Sequence, residues 1–243
     1  MREKFFYFLF LLLSAPQLLA FNVLIDPGHG GDDLGAGSAP KYTGGKKLTS
    51  YEKDIALQVS KKIFHKLQEK NIPVYLTRSM DRTISLEKRA QLSETVQADI
   101  FVSIHANSSP NASSSGFETY FLDNHSDAAV KKIERVENSV SGTEDIVGHI
   151  LTDLVVQKTV GASKSLATSV HHRIKRGLAT SYKLKDRGMK AGLFYVLALS
   201  KRPAILMELG FVSNKKEKDK LINDSFQNAY AEAIAKGIVD YIQ

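Results

Sequence analysis

No stretch of this chain restricts its fold more than Val23-Leu24-Ile25-Asp26-Pro27-Gly28-His29-Gly30-Gly31. Three apolar residues, two of them β-branched, suit a buried strand. Pro27 and Gly28 stop it abruptly, since proline has no N–H for a ladder and glycine opens unusual backbone angles. A histidine flanked by glycines is left at the strand's carboxyl end, where ligands bind in an open α/β sheet. By itself His29 has two readings: a turn residue, or the first group of a site.

Beyond this stretch, strands and helices alternate. Ile55, Val59, Ile63 and Leu67 recur every fourth residue and predict a helix with one apolar stripe. Val74-Tyr75-Leu76-Thr77 and Asp99 to Ile104 read as strands, with a helix from Ser85 to Val96 between them. Gly116 to Leu122, Phe194 to Leu197 and Pro203 to Met207 read as further strands, and a last helix runs from Ser225 to Tyr241. Asp32 to Leu48, rich in Gly, Lys and Ser and without periodicity, reads as an exposed loop. Residues 124–162 break the alternation. Ala129, Ile133, Val136 and Val140 mark one amphipathic helix there, and Ile146, Val147, Ile150, Leu151, Leu154 and Val155 a second. Gly161-Ala162-Ser163 separates these from a third, Ser165 to Gly177. The pattern predicts an α/β three-layer sandwich, its central sheet mostly parallel or mixed and flanked by helices, with a helical insertion at 124–162.

Residues 1–20 read apart from the fold. The charged start Met1-Arg2-Glu3-Lys4 precedes an apolar run, Phe5 to Leu13, and Pro16 and Ala20 follow in a region suited to cleavage. The run is too short to span a bilayer as a helix, and the pattern is that of a secretory signal peptide. The expected organisation is a signal peptide at 1–20 and one domain at 21–243, exported to the periplasm or cell wall and not membrane-spanning after cleavage. The chain has no cysteine, so any metal must be held by histidine and carboxylate. Its formal charge of +7 becomes +6 when Arg2, Glu3 and Lys4 are removed. The basic residues are dispersed rather than gathered in a block, which favours an anionic surface outside the cytoplasm over nucleic acid as the partner.

Three strands lead into a metal-binding or acid–base group: Ile25 to His29, Ile104 to His105 and Met207 to Glu208. A catalytic zinc site takes three ligands from histidine and carboxylate plus a water, so a carboxylate is wanted near His29. Glu52, in the first turn of the next helix, is the best candidate. It also completes a Thr49-x-x-Glu52 capping box, and spacing does not choose between the two readings. Asp26 is the rival ligand, although a carboxylate buried at a strand end more often braces a loop or orients a ligand. His171 and His172, beside Arg173 and Lys175, read as surface or packing residues. Arg78 and Arg89 read as structural ion-pair formers, and Asn107 as a residue that orients the loop or substrate.

Asp26-Pro27-Gly28-His29-Gly30-Gly31, Glu52-Lys53-Asp54, Leu76-Thr77-Arg78, Ser103-Ile104-His105-Ala106-Asn107 and Glu208-Leu209-Gly210-Phe211-Val212-Ser213-Asn214 follow one another in this order. The series resembles the zinc-dependent N-acetylmuramoyl-L-alanine amidases of the Amidase_3 type, from residue 22 to the C-terminus with an interruption mainly at 124–162. Arg187-Gly188-Met189-Lys190 resembles the family's substrate-side loop. The resemblance implies an amidase catalytic domain at 21–243 with one catalytic Zn2+ held by His29, Glu52 and His105. It implies Glu208 as the catalytic acid/base, with Asn107 and Arg187 on the substrate side or supporting the ligands. Some family members carry a helical insertion here that covers the active site, with a glutamate on the zinc until an activator removes it. Glu137-Asn138 resembles that setting, so Glu137 is either a regulatory zinc contact in an autoinhibited state or a solvent-facing glutamate beside Arg135.

The resulting expectation is a secreted hydrolase that cuts the N-acetylmuramoyl-L-alanine amide of peptidoglycan, in wall remodelling or daughter-cell separation. Its expected partners are peptidoglycan and an activator protein that displaces the 124–162 insertion. A zinc peptidase trimming stem peptides, or a non-catalytic wall-binding protein of the same fold, are the alternatives.

Overall fold

The computed structural model describes residues 21–37, 41–43, 46–48, 51–124, 128–138 and 146–243. The expected signal peptide, Thr49 of the capping-box reading and Val140 of the insertion's first helix lie outside these residues. β1 (Val23–Pro27) is followed by an antiparallel pair, β2 (Lys41–Thr43) and β3 (Lys46–Leu48), within the stretch expected to be loop. Next come α1 (Glu52–Gln68), β4 (Val74–Leu76), α2 (Leu86–Thr95), β5 (Ile100–Asn107) and β6 (Phe117–Leu122). Residues 124–162 contain α3 (Ala128–Glu137) and the start of a long α4 (Ile146–Arg173), which runs through a π-helical turn at Ile174–Ala179 into the short α5 (Thr180–Tyr182). β7 (Asp186–Gly192), α6 (Tyr195–Ser200), β8 (Ala204–Phe211), α7 (Lys215–Leu221) and α8 (Asp224–Ile242) complete the chain.

Six strands form one mixed sheet in the order β4-β1-β5-β8-β6-β7. β4, β1, β5 and β8 are parallel, whereas β6 runs antiparallel to β8 and carries β7 parallel to itself. The carboxyl ends of β1, β5 and β8 therefore share an edge with the beginnings of β6 and β7. The central strands lack polar alternation because helices cover both faces of the sheet. Ile25, Val102, Ile104 and Met207 pack on one side with Ile55, Val59 and Ile63 of α1 and Tyr230, Ile234 and Ile238 of α8. Leu24, Phe101, Tyr120 and Leu206 pack on the other with Val130 of α3 and Val196 and Leu197 of α6. This is the expected α/β sandwich.

Three local expectations are corrected. Phe194 to Leu197, read as a strand, is instead the start of α6, with Phe194 as its N-cap and Val196, Leu197 and Ala198 buried. A short apolar run cannot be told from a buried helix by periodicity. The last strand does not stop before Glu208 but continues to Phe211, so Glu208 sits inside the ladder. Gly161 does not divide two helices, because α4 passes straight through it. Among the described residues a Cβ at Gly161 would meet nothing within 4 Å, so the glycine forgoes no packing there. What remains is the intrinsic cost of a helical glycine, about 1 kcal/mol.

Candidate metal centre

The loop after β1 holds His29 in an unusual conformation, with φ at 56°. Non-glycine residues adopt this left-handed region only when their surroundings enforce it. Two buried arginines do so here. Arg89 donates to the carbonyls of Pro27 (2.8 Å) and His29 (2.7 Å), and Arg78 to those of Pro27 (3.0 Å) and Gly28 (2.8 Å). Arg78 also donates to the Lys53 carbonyl at 2.7 Å, tying the loop to α1.

Asp26, the rival ligand, is occupied elsewhere. It accepts hydrogen bonds from Thr77 Oγ1 (2.6 Å), Ser103 Oγ (2.8 Å) and Arg89 Nη1 (2.5 Å). Burial opposes its charge, but Arg89 and the hydroxyl donors outweigh burial and hold the carboxyl below its ordinary range. Gly28 is required by a close approach, since a Cβ there would lie 2.4 Å from the His105 ring.

His29, Glu52, His105 and Glu137 converge, each offering one ligand atom within 4.8 Å of all the others. Glu52 Oε1 stands 3.1 Å from His29 Nε2 and 2.9 Å from His105 Nδ1. Glu137 Oε2 stands 3.4 Å and 3.1 Å from the same two nitrogens. Donors bound at about 2.0–2.2 Å around one tetrahedral ion lie roughly 3.3–3.5 Å apart, close to these separations. His29 Nε2 is buried and, among the described residues, has no aligned hydrogen-bond partner, only the Glu52 and Glu137 carboxylate oxygens that share the centre with it. The four residues could hold a metal ion.

Each ligand atom is aimed by something else. Glu52 is the first residue of α1, behind an N-cap, Tyr51, that makes no side-chain capping bond. Its Oε2 accepts from the Ala36 N–H (2.7 Å) and its Oε1 from the Ala106 N–H (3.0 Å), so the carboxylate faces the strand ends rather than its own helix. His29 Nδ1 donates to Asp33 Oδ2 at 2.8 Å, which leaves Nε2 for the cluster. Sequence reasoning missed Asp33. The only trace of it there is an aspartate four residues after the histidine, in a stretch without periodicity.

Glu137 comes from the last turn of α3 and points into the cluster rather than to solvent. Three hydrogen bonds fasten this end of α3 to Leu193 and to the first residue of α6. Asn138 Nδ2 donates to the Leu193 carbonyl (3.0 Å), Asn138 Oδ1 accepts from the Tyr195 N–H (2.8 Å), and Glu134 Oε1 accepts from the Leu193 N–H (2.5 Å).

The electrostatics describe a centre that wants positive charge. Burial works against a charged His105, yet Glu137 and Glu52 lift it to about 10. Burial likewise disfavours charge on His29, and Glu52, Asp33 and Glu137 raise it further. Glu52 and Glu137 are held low against burial by the two histidines. A bound cation would take over the role of these protons.

Glu208 lies beside His105 in the parallel β5–β8 register and opposite Glu118 across β8–β6. Burial, with the Glu137 and Glu52 charges, pushes its carboxyl well above the usual range, and its Oε2 has no hydrogen-bond partner among the described residues. A cavity of about 550 Å³ opens from the cluster and is lined by His29, Glu52, Asn107, Glu118, Glu137 and Arg187, among others. Asn107 Nδ2 is buried beside it with no hydrogen-bond partner among the described residues, while its Oδ1 accepts from the Ser108 N–H at 2.7 Å.

His171 stays apart from the cluster, buried between Thr119 Oγ1 and Asp186 Oδ1 at 2.9 Å each. Its packing role agrees with the sequence reading.

The N-acetylmuramoyl-L-alanine amidase model, Amidase_3, matches residues 23–240. The chain is 36% identical over 228 residues to the uncharacterised protein YqiI of Bacillus subtilis, covering 94% of this chain and 88% of that one. It is 32% identical over 229 residues to the N-acetylmuramoyl-L-alanine amidase AmiC of Escherichia coli, covering 90% of this chain but spanning only about half, 52%, of AmiC. Among solved structures, an N-acetylmuramoyl-L-alanine amidase from Clostridium difficile 630 superposes with a TM-score of 0.67 at 34% identity, covering 92% of this chain and 97% of that one. With nearly all of its described fold inside the family match and the His/Glu cluster at the carboxyl edge of the sheet, this chain belongs to the Amidase_3 family of N-acetylmuramoyl-L-alanine amidases.

Proposed function

We propose that the chain is a zinc-dependent hydrolase of the amide between N-acetylmuramic acid and L-alanine in peptidoglycan. The convergence of His29 Nε2, His105 Nδ1 and Glu52 Oε1 on one point is the observation that carries this reading. These three residues hold the metal. A zinc ion there supplies Lewis acidity toward the scissile carbonyl and acidifies water near neutral pH. Glu208 takes a proton from the attacking water and delivers it to the alanine nitrogen as the C–N bond breaks. Work of this kind contributes about 10²–10⁴-fold.

Glu137 would give a bound ion a fourth donor in a resting form, and an activator protein draws α3 aside to withdraw it. Withdrawal of Glu137 also removes one of the charges that raise the Glu208 carboxyl, a change in the direction a base requires. Residues 1–20 direct export, residues 21–243 form the catalytic domain, and the basic surface suits the periplasm or cell wall. Wall remodelling or daughter-cell separation is the corresponding task. Among the described residues no helix is long and apolar enough to cross a membrane.

Incubation of the zinc-loaded protein with purified cell walls tests the reaction. Chelator-reversible release of intact stem peptides with a free L-alanine amine, slow while Glu137 stays in the cluster, is the expected result. Shortened peptides would mark a peptidase instead, and bound walls without release a non-catalytic binder. Glu208→Gln is expected to keep its zinc, measured by elemental analysis, while losing about 10²–10⁴-fold in turnover.

A further inference from the structure

The far wall of the cavity is a second built cluster, and it carries charge of the opposite kind. Glu118, fully buried at the start of β6, accepts hydrogen bonds from Tyr120 Oη and Arg187 Nε and pairs with Lys190 Nζ at 3.2 Å. The Arg187 guanidinium stacks over the Phe211 ring at 5.1 Å, and Lys190 Nζ lies 5.8 Å from the Tyr120 ring centroid. Two cations thus share one carboxylate, which leaves one positive charge uncompensated within the cluster. The carboxylate is 1% exposed, whereas the Arg187 and Lys190 side chains are 30% and 29% exposed. All three residues line the cavity, and the cations are the more exposed of them.

We propose that Arg187 and Lys190 form a carboxylate-recognition site that selects stem peptides whose second residue carries a free α-carboxylate over those in which it is amidated. The inference rests on the amidase reading above and names what the same cavity prefers. Its geometry comes from the sheet. Glu118 is two strands from His105 in the order β5-β8-β6, a span of about 10 Å at roughly 4.8 Å per strand. An extended peptide advances about 3.3–3.6 Å per residue, so a chain with its alanine nitrogen at the metal centre brings its second residue toward the cations. An arginine fork held in place by Phe211 and Glu118 suits a planar carboxylate, and a charge-assisted bond discriminates strongly against a neutral amide.

Calorimetry with two product peptides tests this without relying on turnover. Both begin L-alanyl-γ-D-glutamyl and are blocked at the C-terminus; one has the free glutamyl α-carboxylate and the other its amide. The native protein is expected to bind the carboxylate form about tenfold to a hundredfold more tightly. Arg187→Gln and, separately, Lys190→Gln are expected to shrink that ratio, with the double variant bringing it within twofold. Equal affinity of the native protein for both peptides would overturn the proposal, and needs no variant to fold. So would a ratio that survives in a double variant with a native circular dichroism spectrum. Selective binding without hydrolysis of walls, by the native protein and by Asn138→Ala alike, would sink the amidase reading and leave the carboxylate site standing.

Discussion

The Asp26 carboxylate accepts from three side chains, and its partner Arg89 also donates to two carbonyls of the His29 loop. Removing the carboxylate therefore strands a buried guanidinium and loosens the support of a left-handed histidine. Asp26→Asn is expected to cost about 3–5 kcal/mol, the usual loss when one partner of a buried pair is deleted. The pH dependence has a definite sign. The folded carboxyl is held below its ordinary value of 3.8, so its stabilisation is complete above that value and fades as pH falls through the lower, folded one. Urea midpoints of the native protein and Asp26→Asn should differ by a constant amount from pH 5 to 8 and converge below about pH 4. A gap unchanged at pH 3 would contradict the assignment.

At the scale of elements, α3 has two attachments of different kinds. Val130 packs into the apolar layer with Tyr120 and Phe194, while Asn138 and Glu134 hold the helix's last turn through hydrogen bonds to Leu193 and Tyr195. The second attachment fixes Glu137 in the cluster and can be cut without emptying the core. Asn138→Ala is expected to raise the activator-free rate of the zinc-loaded protein by roughly three- to tenfold for each hydrogen bond lost. Initial rates on soluble muropeptides, compared with melting temperatures, separate the readings. A lowered melting temperature with no gain in rate would make α3 a structural cover rather than a restraint on catalysis.

For the molecule as a whole, the sequence was most legible where burial is complete. β1, β5 and β8 announce themselves as apolar runs because both their faces are covered, and His29, His105 and Glu208 could be placed from their positions relative to those runs. β7 was hidden. Its residues, Asp186-Arg187-Gly188-Met189-Lys190-Ala191-Gly192, form an edge strand that is only partly buried along most of its length, so no apolar pattern marks it. Asp33 was hidden for another reason: the hydrogen bond that gives it meaning depends on the φ of His29, which no residue pattern states. Glu52 was ambiguous because a first-turn glutamate serves a helix as readily as it serves an ion. Only the neighbouring Ala36 and Ala106 N–H groups show which way it turns.

The reversal of direction between β8 and β6 has a mechanical consequence. The His/Glu cluster gathers at the carboxyl ends of the parallel block, with His29 in the loop after β1 and His105 on β5, while Arg187 and Lys190 stand on the outermost strand of the opposite margin. A ligand gripped at both places would act as a cross-brace over four neighbouring strands, β5, β8, β6 and β7, and would resist the peeling of β7 from its single neighbour. At a free concentration one hundred times its dissociation constant such a ligand adds about 2.7 kcal/mol to unfolding. Hydrogen exchange should show the protection concentrated in β6 and β7 for the carboxylate-bearing peptide and weaker there for its amide.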